Sequence, residues 1–274
     1  MRKLVPSNDW PESWKVSFHY DQMEIYGDSL RSGYAYAYRG RRAATLDLIQ
    51  RVAKPGARIL DVAAAQGNMT LALAELGYDV TWNDLRADLV DYVKQKYETG
   101  VVQYAPGNIF ELHFGELFDV VVMTEVIEHV AHPDEFLRKI AGFVRPGGHI
   151  VMTTPNGEYF RNKLPKFSDF PDPSQFESQQ FKPDGDGHIF LLHGSEVKEM
   201  ARAAGVEVVE MRLLNNSLTS GHLKLGKIIP FLPSRAVRGL ERLTDHLPQR
   251  LKRRLLTSLA VVFRAHNEAR RDRS

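Results

Sequence analysis

From about Arg39 to Leu213, short apolar runs alternate with stretches whose apolar residues recur every three or four positions. That alternation predicts a parallel β/α repeat, because each buried strand needs a crossover helix to return to its sheet. Arg58–Val62, Asp79–Asn83, Val101–Tyr104, Phe118–Thr124, His149–Thr154 and Val206–Leu213 read as strands. Phe118–Thr124 is apolar without alternation, as a centre strand covered on both faces should be. Leu259–Phe263, short and branched, reads as a last strand returning to the sheet. Between them lie helices: one carries Ala43, Leu46, Ile49 and Val52, and one is capped by Asn68 and stopped by Gly77. A third holds Leu89, Val90, Val93 and Tyr97, a fourth is opened by Pro133, and Ser195 caps a fifth. The expected fold class is α/β: a doubly wound, seven-stranded, mostly parallel sheet.

Two segments interrupt the repeat. Residues 157–190 are proline-rich and carry Tyr159, Phe160, Phe167, Phe170, Phe176 and Phe181. Long irregular insertions in compact domains are usually lids or binding loops, and these rings are expected to line an acceptor pocket rather than form a separate core. Residues 215–257 read as basic helices inserted before the last strand. Residues 1–38, rich in Trp and Tyr, are expected to close over the ligand site, with the main domain at 39–264 and a polar tail at 265–274.

Composition narrows the classes. With 274 residues, 43% of them hydrophobic and 26% charged, the chain can bury a large core and is not disordered. No apolar run approaches the length of a membrane span, and Arg2-Lys3 is not followed by the apolar stretch of a secretory signal. Cysteine is absent, which excludes disulfides and thiolate metal sites and fits a cytoplasmic location. The net charge of +2 hides an asymmetry: from Pro233 onward there are 11 basic and 4 acidic residues, leaving 25 against 30 in the rest. Any anionic surface should therefore meet the carboxyl-terminal end. There the stripe Val237, Leu240, Leu243, Leu247, Leu251 and Leu255 is surrounded by arginines and Lys252. It suits either a helical pair packed on the sheet or a peripheral membrane contact through 233–257.

The candidate chemistry begins at Asp61-Val62-Ala63-Ala64-Ala65-Gln66-Gly67, where a strand ends in an acid and passes through small residues into a helix. Such a turn lets a ligand lie against backbone at the carboxyl end of a parallel sheet. The second strand ends at Asp84, placed to accept hydrogen bonds from both ribose hydroxyls. The two tips together read as an adenosine site, although the spacing is not G-x-G-x-x-G.

Ile59-Leu60-Asp61…Gly67, Asp84, Gly107-Asn108-Ile109, Glu125-Val126-Ile127-Glu128-His129, Arg145-Pro146-Gly147-Gly148 and Thr153-Thr154-Pro155-Asn156 follow one another in an order that resembles the class I S-adenosylmethionine-dependent methyltransferases. The resemblance covers roughly residues 39–214. It implies a Rossmann-like methyltransferase fold with S-adenosylmethionine as methyl donor. Asp61, Ala63 and Gly67 fall around the donor's methionine part, Asp84 with its neighbour Leu85 at the ribose, Asn108 and Ile109 at the adenine, and Glu125 beside the methyl group. The chain departs from the family in having Ala63 and Ala65 where glycines are usual. If φ is positive there, each alanine costs of order 1 kcal/mol; if negative, the pocket is merely tighter. Asn108 likewise replaces the more usual aspartate.

The Glu-Val-Ile-Glu-His run resembles that of ubiquinone-pathway O-methyltransferases. Glu125, Glu128 and His129 share a face if a helix follows the fourth strand, and His129, with Glu128 beside it, suits a general base for a hydroxyl acceptor. With His188 the set would make a divalent metal site for Mg2+ or Zn2+, resembling small-RNA 2′-O-methyltransferases. Against it stands the plainer alternative of a cap and surface residues. His193, His222 and His246 have no partners at ligand spacing and read as surface. The expected activity is methylation of a small hydroxylated acceptor that is sugar-, quinone- or lipid-like. An RNA ribose 2′-O-methyltransferase and a noncatalytic donor-binding module are the alternatives, and no DNA partner is expected.

Overall fold

The computed structural model describes residues 1–27, 32–180, 187–220, 235–237, 239, 244 and 246–266. Seven strands form one sheet: β1 (Arg58–Val62), β2 (Asp79–Trp82), β3 (Val101–Tyr104), β4 (Phe118–Thr124), β5 (Val144–Pro155), β6 (Val206–Asn216) and β7 (Leu256–Ala265). Their order is β3-β2-β1-β4-β5-β7-β6, and β7 runs antiparallel to both neighbours while the others run together. The sheet is α/β and Rossmann-like, as the alternation predicts. Its strand order reverses between β1 and β4, so a crevice opens above their carboxyl ends. Thr124 pairs with Thr153 and Val62 with Met123, which brings the tips of β1, β4 and β5 to one edge.

Period-two alternation within β4 divides the core. Val120 and Val122 face Leu48 and Ile49 of α2 (Gly33–Val52) and Leu73 of α3 (Asn68–Glu75). Val121 and Met123 face Phe136, Leu137 and Ile140 of α5 (Pro133–Ala141) and Val197 and Met200 of α6 (Gly194–Ala203). On the β2 side, α1 (Glu12–Glu24) lies against α4 (Leu89–Lys96) through a nest of edge-on rings, Trp10 and Trp14 on Tyr92.

Several boundaries move. The break expected at residue 38 falls inside α2, which starts at Gly33 because Ser32 accepts a 3.1 Å hydrogen bond from Ala35 N–H. Asn68 is not a cap: Gly67, in the left-handed region at φ 73°, precedes α3, and the Asn68 side chain turns into the protein. His193 rather than Ser195 occupies the cap position of α6. β6 reaches Asn216, three residues beyond Leu213. In the 157–190 insertion the expectation of a ring-lined pocket gives way to a small core, with Phe167, Phe170 and Phe176 packing on Phe190 at 5.0–5.9 Å between ring centroids. Phe181 lies outside the described residues, as do His222, Leu240, Leu243 and residues 267–274. Of the basic insertion, Val237 is buried and α7 (Gln249–Leu255) leads into β7.

Candidate active site

The turn after β1 is held in a conformation that alanine rarely takes. Ala63 and Ala65 have φ of 53° and 48°, so the positive-φ alternative holds and each costs of order 1 kcal/mol. Local bonds over-determine the turn. Trp82 Nε1 donates to Ala65 O at 3.0 Å, Ala64 N–H to Asn83 O at 2.8 Å, and Ala65 N–H to Asp84 Oδ2 at 2.8 Å. Gly67 could not be replaced here, since a Cβ would come within 2.7 Å of Val93 Cγ1 in addition to the unfavourable φ.

Asp61 is buried at the end of β1. Thr70 Oγ1 donates to Asp61 Oδ2 at 2.6 Å, while Asp61 Oδ1 has no hydrogen-bond partner among the described residues. Burial raises its pKa to about 7, and nearby Asp84 adds to the rise. Asp84 itself is buried at the tip of β2. Asn83 Nδ2 donates to Ala105 O and Gly107 O at 2.7 and 3.0 Å, which staples the loop after β3 to that tip. Ile109 is buried beneath the loop and Leu85 stays exposed beside Asp84. The Asn108 side chain instead caps its own turn, accepting from Phe110 N–H at 3.2 Å and donating to Glu111 Oε1 at 2.8 Å.

A network that sequence reasoning missed ties α1 to this turn. Lys96 and Asp21, both fully buried, pair at 2.7 Å, and Lys96 Nζ also donates to Gln66 O at 2.9 Å. Asn68 Nδ2 bridges Asp21 and Glu24, and Gln66 Nε2 and Tyr34 OH complete Glu24. The signal was present in the periodicity. Lys96 stands at the next apolar position after Leu89, Tyr92 and Val93, and Asp21 and Glu24 continue the buried stripe of Ser17 and Phe18.

On the far side of the crevice the chain after β4 forms a single 3-10 turn, Ile127–His129, instead of the helix the spacing suggested. Glu125 sits ahead of it at φ 55°, its N–H bonded to Thr153 O at 2.9 Å. A side chain held at such a φ costs of order 1–3 kcal/mol and persists where the surroundings enforce it. Arg41 Nε of α2 reaches Glu125 Oε2 at 3.5 Å, and this contact was also missed from sequence. Glu128 is wholly buried, accepts from Thr154 Oγ1 at 3.0 Å, and is pushed well above the carboxylate range by burial and by the charge of Glu125.

His129 and His188 meet at 4.8 Å between ring centroids, and His188 Nε2 is 3.9 Å from Glu128 Oε1. One ligand atom each from Glu128, His129 and His188 lies within 4.8 Å of the other two. The structure thus gathers three of the four expected metal-ligand residues. Glu125 is engaged with Arg41 instead. His188 comes from the far end of the 157–190 insertion, delivered by Ile189 N–H donating to Glu128 O at 2.7 Å.

Four oxygens at or just after the ends of β1, β4 and β5 are buried with no hydrogen-bond partner among the described residues: Asp61 Oδ1, Glu125 Oε1, Thr153 Oγ1 and Glu128 Oε1, the last with only the 3.9 Å approach of His188. Buried oxygens of that kind each cost about 1–3 kcal/mol unless something completes them, which makes the carboxyl ends of these strands the candidate site.

A family model described as a methyltransferase domain matches residues 36–211. A ubiquinone biosynthesis O-methyltransferase of Xanthomonas campestris pv. campestris is 30% identical over 194 residues, spanning 61% of this chain and 81% of the relative. Among solved structures, an S-adenosylmethionine-dependent methyltransferase from Methanosarcina mazei superposes with a TM-score of 0.52 at 15% identity, over 81% of this chain and 98% of that one. The [4+2]-cyclase SpnF superposes at 0.53 with 17% identity, over 97% and 100%.

Proposed function

We propose that this chain, which belongs to the family of S-adenosylmethionine-dependent methyltransferases, methylates a hydroxyl oxygen on a quinone-like small molecule. Four buried oxygens without a hydrogen bond along the ends of β1, β4 and β5 carry the reading. When bound, S-adenosylmethionine supplies an electrophilic methyl group on a sulfonium. The residues fit it: Asp61 Oδ1 is left to receive a donor hydrogen, and the turn through Ala63, Ala65 and Gly67 carries no side chain larger than a methyl at those three positions. Asp61 and Gly67 would hold the methionine part, Asp84 with Leu85 the ribose, and Ile109 the adenine. Asn108 contributes there through its backbone, its side chain being occupied. Glu125 borders the reacting end.

Displacement at a sulfonium requires an aligned oxygen nucleophile that has lost its proton. His129 is assigned the base that takes the proton at an imidazole nitrogen, and Glu128 orients the acceptor hydroxyl beside it. A divalent cation held by Glu128, His129 and His188 would take up the His129 lone pair and would replace the base role by lowering the acceptor's pKa itself; one carboxylate with two imidazoles suits Zn2+ better than Mg2+. The oxygen acceptor is supported by the relatives' names and by this base-bearing cluster.

The peripheral membrane contact belongs to the same reading. Phe160 and Leu251 are 44% and 47% exposed on a surface carrying Arg161, Lys163, Arg250, Lys252, Arg253 and Arg254, and Phe160 N–H donates to Arg254 O at 3.0 Å. An apolar ring and a leucine among basic residues suit an anionic bilayer holding a lipid-linked acceptor. No described helix is long and apolar enough to cross a membrane.

The test is methyl transfer from labelled donor to hydroxylated quinols, with and without chelator, and with RNA as the competing acceptor. Label in a quinol ether is expected. Donor binding with no transfer to any hydroxyl, or transfer to RNA alone, defeats the assignment.

A further inference from the structure

Asp84 is fully subscribed. A carboxylate offers about four lone-pair positions, and here four N–H groups fill them. Oδ1 accepts from Arg86 N–H at 3.0 Å and Arg86 Nε at 2.9 Å. Oδ2 accepts from Ala65 N–H at 2.8 Å and Arg86 Nη2 at 3.2 Å. Two of these donors are main chain and fixed by the fold. The other two belong to one guanidinium, laid side-on across a carboxylate side chain that is 6% exposed, on a side chain that is itself 53% exposed.

From this count we infer that Arg86 is a latch on the donor site, which an adenosyl nucleoside opens by exchanging its two ribose hydroxyls for the two guanidinium N–H groups. The exchange is stoichiometric: two donors leave, two arrive, and the main-chain bonds stay. Arg86 can leave because most of its side chain already faces water, and its loss of a bidentate partner is offset by hydration. Its presence therefore weakens binding of donor and demethylated product alike, and hastens release of the product nucleoside. The assignment rests on the adenosyl reading of the crevice and goes beyond it, since that reading alone makes Asp84 a waiting acceptor.

The test is calorimetric titration of the full chain and of Arg86→Met, which keeps the aliphatic stem, with S-adenosylhomocysteine and with its 2′,3′-dideoxy analogue. A guanidinium–carboxylate pair whose guanidinium is largely in water corresponds to about a two- to five-fold change in Kd. Arg86→Met is expected to bind S-adenosylhomocysteine tighter by that factor and the dideoxy analogue no tighter than the parent does. Arg86→Lys, which cannot form the fork, should fall between. Equal or weaker binding of S-adenosylhomocysteine by Arg86→Met, at an unchanged melting temperature, overturns the latch. So does equal tightening for both ligands, because the hydroxyls would then play no part. If the parent and Arg86→Met both ignore the nucleoside, the donor assignment itself fails, which is a separate result.

Discussion

On the β2 side of the crevice, polar groups are bound to one another: Lys96 to Asp21 and Gln66 O, Asn68 to Glu24, Asp84 to Ala65 and Arg86. On the β4–β5 side, Glu125, Glu128 and Thr153 each keep a buried oxygen with no hydrogen bond among the described residues, and Glu125 is held at positive φ. The first region is a rigid frame whose bonds are closed before any ligand arrives. The second stores unmet hydrogen-bonding capacity, which is what a site for a reacting group requires. The difference teaches where substitutions should strike stability and where they should strike turnover.

The largest effect should come from the frame. Lys96→Met leaves Asp21 buried without its counter-charge, and breaking such a pair costs about 3–5 kcal/mol. Chemical denaturation should show that loss together with weaker nucleoside binding, because Lys96 also holds Gln66. A loss below about 1 kcal/mol would mean the pair is hydrated in solution. His129→Ala should do the reverse, sparing the melting temperature and nucleoside affinity while lowering kcat by about 10²–10⁴-fold. Normal turnover in that variant would remove His129 from the chemistry.

Asp61 gives a smaller effect that depends on pH. Its folded-state pKa of about 7 stands above its ordinary 3.8, so the folded chain binds more protons than the unfolded chain between those values. This group's contribution therefore declines as pH rises from about 4 to 7 and then levels off. Asp61→Asn should flatten that slope and raise the melting temperature at pH 8 by a few degrees, of the order expected for a chain this size. A slope identical in the parent and the variant would assign the pH dependence elsewhere. Smallest of all, Ala65→Gly relieves the φ of 48° but loosens the unfolded chain, for a net change within about 1 kcal/mol. A larger destabilisation would show that the alanine methyl is packed rather than strained.

The strands and their parallel order were legible in the sequence because buried runs, turn residues and helix periods are local properties, and Phe118–Thr124 shows it most clearly. Asp61, Gly67 and Asp84 were marked as candidates by their positions after strands, and Glu128 and His129 by their spacing from Glu125. Tertiary structure alone decided their partners. That Glu125 faces Arg41, that Asp84 is paired with Arg86, and that His188 returns from the 157–190 insertion to meet His129 depend on where helices and loops lie in space. No periodicity encodes those distances. The same holds for Ala63 and Ala65: residue identity left both signs of φ open, and the bonds from Trp82 and to Asp84 fixed it as positive.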